Sequence, residues 1–219
     1  MHGYADELIA HRRVAPKDDL VGRLVDASQD NDRLSTAELR VLVVLLITGG
    51  VQTIHKHLGQ AIRTFLAHPD QWQQVADDPS LAASAVEETL RVNPANTWII
   101  RRATSSFEYD GVEIDEGTIV HLFTQSAGTD PAAAADVSFD ITGERPQHFA
   151  FGYGIHHCLG HFVARSEMTE ALPVLARSMR DMRVDGQIEE LPASGTTGPL
   201  RLPLAFTPND NAATLMRRA

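Results

Sequence analysis

Phe151-Gly152-Tyr153-Gly154-Ile155-His156-His157-Cys158-Leu159-Gly160 is the stretch on which the reading of this chain turns. It carries the single cysteine of a 219-residue sequence, in a glycine-studded loop that runs straight into a helical pattern. Glycine at 152, 154 and 160 allows positive φ and a close backbone approach to something flat or bulky. Cys158 falls near the N-terminus of the coming helix, where backbone N–H groups and the helix dipole favour a thiolate. A sulfur held in that way is a metal ligand or a nucleophile, and the surrounding chain has to decide which.

Downstream, the pattern predicts a helix from the cysteine loop to about Arg180, kinked at Pro173. The end of the chain reads as loop and short strand over 200–206, with a frayed tail over 209–219. Upstream, residues 124–150 read as loop, with an alanine run at 132–135 followed by Phe139-Asp140. An irregular stretch of that length is usually functional when it is ordered. Before it lies β-rich sequence: residues 97–103, then Phe107-Glu108-Tyr109 and Val112-Glu113-Ile114 around Asp110-Gly111, then 118–123. Asp-Gly between alternating runs is a hairpin signal, so these residues predict a small antiparallel sheet.

The first half of the chain reads as helix. Ser35-Thr36-Ala37-Glu38 is a capping box that opens a helix to about Leu66. Its residues 41–47 are apolar on every side, which predicts burial all round. Thr48-Gly49-Gly50-Val51-Gln52-Thr53 then interrupts it. Two glycines in mid-helix cost about 1 kcal/mol each against alanine, and mark either tight helix packing or a place where a ligand lies on the backbone. Pro69 and Pro79 suit first helical positions, so helices are expected over 69–77 and 79–92. Glu88 and Arg91, three apart, share a face of the second; taken alone, such a pair is a solvated surface contact. Two short amphipathic helices over 4–12 and 18–28, broken at Pro16, precede all of this. The fold class is therefore mainly α with a small antiparallel β-sheet, in a single domain over residues 1–219.

Composition narrows the function. Acidic residues outnumber basic ones 29 to 19, for a net charge of −10. That argues against a nucleic-acid partner and suits a soluble, cytoplasmic protein. One cysteine forms no internal disulfide. The first residues carry acids where a signal peptide has an apolar run. The apolar run at 41–47 is far shorter than the roughly 20 residues that span a bilayer, so no membrane association is expected.

Three chemistries remain for Cys158. As a nucleophile it has His156 and His157 beside it, too close in a tight loop to serve productively as its base. As a zinc ligand it needs His156, His157, His161 or distant histidines, and no ligand spacing is evident. As an axial ligand of haem iron it stands alone, and flat porphyrin faces call for nearby glycine and an apolar helix opposite. The glycines at 49 and 50 offer that second wall, and Arg101, Arg102 and His148 offer partners for haem propionates.

The pattern Phe151-x-x-Gly154-x-x-x-Cys158-x-Gly160 resembles the haem-binding loop of the cytochrome P450 superfamily. The fuller Phe151-Gly152-x-Gly154-x-His156-x-Cys158-Leu159-Gly160 resembles that of its bacterial soluble branch. Glu88-x-x-Arg91 resembles the family's E-x-x-R pair. The resemblance runs from about Tyr4 to Pro208 and corresponds to the C-terminal half of the family's fold, so a partial chain is expected. It implies a haem-dependent monooxygenase that inserts one oxygen atom of O2 into a small organic substrate. By the same resemblance the cofactor is haem b with iron ligated by Cys158, and electrons come from a ferredoxin-like partner. Phe151, Gly152 and Gly160 shape the loop, Arg101 and His148 hold propionates, and Glu88 with Arg91 brace the loop from below. Gly49, Gln52 and Thr53 fall on the oxygen-activating segment, Thr53 being the residue that handles protons there.

Three substitutions depart from the family pattern. Gln52 stands where an acid is usual, and an amide does not take up and release a proton as a carboxylate does. Gly143 stands where an arginine usually completes the Glu88–Arg91 brace, with Arg145 two residues away as its expected replacement. Thr129 stands where the loop usually has an arginine before Asp130. These departures, and the half-length resemblance, support an alternative: a truncated, catalytically inactive remnant or haem-binding module of the same fold. In a partial chain the apolar face of the helix over 36–66 is expected to be exposed and to promote association.

Overall fold

The computed structural model describes residues 1–29, 34–133, 136–144, 146–191 and 195–209. Arg145 and residues 210–219 of the expected frayed tail lie outside the described residues. The backbone groups into two compact units, Met1–Gln52 and Thr53–Ala219.

The first unit holds α1 (His2–Val14), α2 (Leu20–Gln29) and the first turns of α3 (Thr36–Leu66). Asp19 sets the start of α2: its Oδ1 accepts from the Gly22 amide at 2.8 Å, while Arg12 grips its Oδ2 from α1 at 2.6 Å. The Arg12 and Gly22 hydrogen bonds lower the Asp19 carboxyl to about 2. Ser35 and Glu38 form the expected capping box, with Ser35 N donating to Glu38 Oε2 at 2.8 Å and Glu38 N donating to Ser35 Oγ at 3.2 Å. Ala5, Ile9, Val25, Leu39 and Val43 form the core of this unit.

α3 is not buried all round as its apolar run alone predicts; its apolar face is partly exposed, as expected of a partial chain. Leu39 and Val43 are buried, but Val41 and Leu45, on the other side of the same turns, are 58% and 62% exposed. Among the described residues of this unit, α1 and α2 supply the partners, and they cover one stripe of the helix. A run of branched apolar residues predicts what a helix face prefers to touch, not how many faces find a neighbour. The whole of α3 is also longer and more apolar than the run at 41–47 implies. By length and composition alone it is the one helix, among the described residues, able to cross a membrane. The glycine pair does not interrupt it. A Cβ built on Gly49 or Gly50 meets nothing within 4 Å among the described residues.

The second unit contains the remainder of α3, α4 (Pro69–Asp77), a 3₁₀ turn (Pro79–Leu81) and α5 (Ala82–Val92). Pro69 and Pro79 both open their turns, as expected. The β-rich stretch forms two two-stranded antiparallel sheets, not one. In one, β1 (Ile99–Arg102) pairs with β4 (Ile119–Leu122); in the other, β2 (Phe107–Tyr109) pairs with β3 (Val112–Ile114). Asp110 and Gly111 both take positive φ, 51° and 77°, the requirement of a type I′ turn. A short α6 (Thr124–Gly128) begins the stretch expected to be loop. After α7 (His161–Ser178), β5 (Met179–Val184) pairs with β8 (Leu204–Pro208), and β6 (Glu189–Glu190) with β7 (Pro199–Arg201).

The core of this unit gathers Phe65 from α3, Trp72 and Val75 from α4, Ala85 and Val86 from α5, and Met168 and Leu172 from α7. Phe139 and Ile141 join it from the irregular stretch. Gln71 pins that stretch at both ends of its amide: Nε2 donates to Phe139 O and Oε1 accepts from Ile141 N, each at 2.8 Å. The Phe65 ring meets Trp72 at 5.0 Å and Phe139 edge-on at 5.4 Å. The described part of the irregular segment is therefore held by burying two side chains and by long-range hydrogen bonds to Gln71.

Candidate functional site

The cysteine loop closes on itself through its backbone. Gly152 N donates to Phe149 O at 2.8 Å, His157 N to Gly154 O at 3.0 Å, and Cys158 N to Phe151 O at 2.9 Å. These closures need the chain to reverse twice, and Gly152 and Gly154 do so at φ 72° and 71°. Gly160 differs from expectation: at φ −85° it is the N-cap of α7 and uses no left-handed geometry. A Cβ there would lie 4.0 Å from Cys158 Sγ, in ordinary van der Waals contact with it. Cys158 is half-buried and stands two residues ahead of that cap.

Two glutamates of α5 support this loop and the stretch before it. Glu88 and Arg91 are 2% and 1% exposed, so the pair is buried and not a surface contact. Arg91 Nε and Nη2 grip the two carboxylate oxygens at 2.7 Å each. The guanidinium also donates to Gly128 O at 2.7 Å, Ser138 O at 2.8 Å and Val137 O at 3.2 Å. Asp140 N donates to Glu88 Oε1 at 2.9 Å. Every strong group of the pair is thereby used, which is the condition under which a buried ion pair is tolerated. Gly143, where the usual third member of the brace is missing, lines the neighbouring cavity.

Glu87 faces that cavity, of about 510 Å³, which Glu88, Arg91, His148, Phe151, Gly152, His157 and Arg165 also line. Arg165 of α7 reaches Glu87 through Nε and Nη2, at 2.6 and 3.0 Å, and its guanidinium carbon lies 4.5 Å over the Phe151 ring. His148 Nε2 lies 3.2 Å from the same carboxylate. Burial pushes Glu87 up, but the hydrogen bonds from His148 and Arg165 and the charge of both outweigh it and lower it to about 2. Arg165 is pushed up, first by its hydrogen bond to Glu87, against the effect of burial, with Cys158 adding in the same direction. Glu87 and Arg165 escape the sequence reading, because they are 78 positions apart and neither falls in the loop motif.

The structure thus brings Glu88, Arg91, His148, Phe151 and Gly152 around one cavity beside Cys158 and Gly160. Arg101 is elsewhere: it lines a second cavity of about 310 Å³ with Arg102, Phe107 and Leu122, and bonds the Ile100 carbonyl at 2.8 Å. His148 has no nitrogen left for a cofactor carboxylate in this arrangement, since Nε2 meets Glu87 and Nδ1 accepts from Ala150 N at 3.2 Å. On α3, Gly49 and Gln52 are exposed and Thr53 is half-buried.

The donor set fits an axially ligated cofactor. No three His, Cys, Asp or Glu side chains converge into a metal group among the described residues, so Cys158 is a solitary sulfur. In the sequence just after it Leu159, Phe162 and Val163 are 78%, 73% and 57% exposed, apolar surface suited to a flat hydrophobic ring. One thiol followed by such a surface is the donor chemistry of a haem-thiolate centre.

A helical fold carrying a lone loop thiol of this kind defines a class, and comparison with known proteins gives its name. The cytochrome P450 family model matches residues 54–180, and the chain belongs to that family. It is 40% identical over 209 residues to luteothin monooxygenase of Streptomyces thioluteus, covering 94% of this chain and 51% of that one. It is 34% identical to mycinamicin IV hydroxylase/epoxidase of Micromonospora griseorubida, covering 94% and 53%. Among solved structures it superposes on the tirandamycin C-bound P450 monooxygenase TamI with a TM-score of 0.86 at 32% identity, covering 94% of this chain and 53% of that one. With CalO2 the TM-score is 0.88 at 30% identity, with the same coverage. The chain spans about half the length of the curated relatives it matches. Family membership implies haem with a cysteine thiolate ligand.

Proposed function

We propose that this chain carries the thiolate half of a P450 monooxygenase site, acting on a small organic molecule with O2 and electrons from a ferredoxin-type partner. The observation that supports it best is the loop itself: a solitary cysteine ahead of α7, its amide on the Phe151 carbonyl, followed in sequence by exposed apolar residues. Cys158 ligates the iron of haem b, and haem bound there supplies the activation of dioxygen that no side chain provides. Phe151, Gly152 and Gly160 hold the shape of the loop, and Arg165 stacks on Phe151 to keep it seated. Arg101 meets a haem carboxylate. His148 acts through Glu87 and the loop backbone. Glu88 and Arg91 brace the segment over 128–140.

On α3, Thr53 handles protons near the reacting centre, Gly49 leaves room on the helix, and Gln52 orients hydrogen bonds without supplying a proton. A cytoplasmic location accords with the acidic composition. The exposed stripe of α3 is where a further polypeptide surface associates. Gln52 and Gly143 favour a second reading, a haem-binding module without turnover.

Haem titration of the purified chain tests the first reading. One haem per chain with a thiolate spectrum, lost in Cys158→Ala, is expected; absence of haem binding contradicts it. Oxygen consumption with a reduced ferredoxin then separates the two readings, since the module binds haem and consumes none.

A further inference from the structure

The cysteine loop leaves one part of α3 without a role. Thr53, His57, Gln60 and Thr64 recur at helical spacing and so fall on one face of α3. His57 and Gln60 are 5% and 3% exposed. Neither belongs to the motifs that carry the family resemblance, and neither lines the cavity beside the cysteine loop.

Their hydrogens can be assigned. Thr89 Oγ1 donates to Val86 O at 2.9 Å, so it turns lone pairs towards His57 Nε2, 3.4 Å away. Nε2 is then the protonated nitrogen and Nδ1 the bare one. The Gln60 amide nitrogen donates to Asn93 Oδ1 at 3.1 Å and to Thr197 Oγ1 at 3.2 Å. Two acceptors are left, His57 Nδ1 and Gln60 Oε1, both buried and both without a hydrogen-bond partner among the described residues.

Protonation of the ring does not resolve the mismatch. Burial first, and then the charge of His148, lowers His57 to about 4 against the opposing pull of Glu87, so the imidazole is neutral at ordinary pH. Buried acceptors are rarely left unpaired. Two of the same polarity, three residues apart on one helix face, suit a guest that brings two hydrogens and is small enough for an interior site.

We propose that His57 and Gln60 hold one internal water molecule, which donates a hydrogen to Nδ1 of the first and to Oε1 of the second. The occupant is water because both acceptors are buried, and the side chains that bear them pack against α5 through Thr89 and against the 195–199 turn through Thr197. Gly198 and Gly59 mark how tightly that turn meets α3: a Cβ on Gly198 lies 3.1 Å from Lys56, and one on Gly59 lies 2.8 Å from Pro199. His57 is a positioning residue, since it acts through the water it orients. On the reading of Thr53 given above, this water stands one helical turn behind the proton-handling hydroxyl, in a chain whose Gln52 offers no acid. The water site itself does not depend on that reading.

The test uses the full chain labelled with ¹⁵N-histidine. His57 is expected as the Nε2–H tautomer, neutral down to about pH 4, with cross-relaxation between its ring and one slowly exchanging water. Gln60→Leu is expected to abolish the water signal while leaving the His57 tautomer unchanged, and His57→Phe to abolish it as well. If His57→Phe does not fold, Gln60→Leu carries the test alone. An Nδ1–H tautomer, or a wild-type chain with no long-lived water at His57, overturns the proposal. Haem titration of the same sample reports separately on the functional reading, so failure of one is distinguishable from failure of the other.

Discussion

Glu87 and Glu88 are neighbours on α5 and work in opposite environments. Glu88 is 2% exposed and locked to Arg91 beneath the segment over 128–140. Glu87 is 44% exposed and holds Arg165 and His148, the groups that seat the cysteine loop. The first pair is built into the fold, and removing one partner strands a buried charge. The second is screened by water, so it contributes little to stability and much to the orientation of the loop. Adjacent residues of the same type thus separate the scaffold from the site it presents.

Arg91→Ala sharpens that contrast most. It leaves the Glu88 carboxylate buried and removes donors from three backbone carbonyls, so a loss of about 3–5 kcal/mol is expected in urea unfolding. A loss under about 1 kcal/mol breaks the distinction, since that is the range of a solvated pair.

The second effect is acid sensitivity. His57 is lowered from 6.5 to about 4 in the folded chain. The unfolded state therefore binds the proton first, and stability present above 6.5 is lost as pH falls towards 4. The loss amounts to a few kcal/mol, because each pH unit separating the folded from the unfolded value is worth about 1.4 kcal/mol. Glu87, lowered from 4.5 to about 2, stabilises the fold above 4.5, and this contribution is lost as pH falls below that. Melting temperatures from pH 8 to pH 4 check the order: His57→Phe is expected to flatten the upper part of the slope. An unchanged slope in that variant contradicts the assignment.

Arg165→Ala removes the clamp on Glu87 and costs about 1 kcal/mol or less. Its clearer signature is a rise of the Glu87 pKa, followed by carboxyl carbon shifts in NMR. Equal losses for Arg165→Ala and Arg91→Ala would erase the comparison. Smallest of all, Glu38→Ala takes away half of the capping box at α3, for about 0.5–1 kcal/mol of helix stability by thermal melt.

What can be read from sequence follows the range of the interaction. Ser35 and Glu38 lie three residues apart, and Asp110-Gly111 is a dipeptide, so both are legible. The E-x-x-R pair and the cysteine loop are legible as motifs, although burial of the pair depends on carbonyls 37 to 47 positions away. The Gln71 clamp spans 68 and 70 positions and Glu87–Arg165 spans 78, and no local pattern announces either. The one-sided burial of α3 is hidden because apolar periodicity does not count neighbours. His148 reads as a cofactor donor from its place before the motif, while its nitrogens are claimed by Glu87 and Ala150. Strand β5 follows α7 without a loop, Met179 next to Ser178, so the helical pattern runs on to Arg180 only in sequence.

The central assignment is Cys158 as the thiolate ligand of a haem. A carbon-monoxide difference spectrum of the reduced, haem-reconstituted chain tests it most directly. A thiolate-type Soret band in the wild type, absent in Cys158→Ala and retained in Arg165→Ala, is the predicted result. Bound haem whose spectrum is the same with and without the Cys158 sulfur would contradict it.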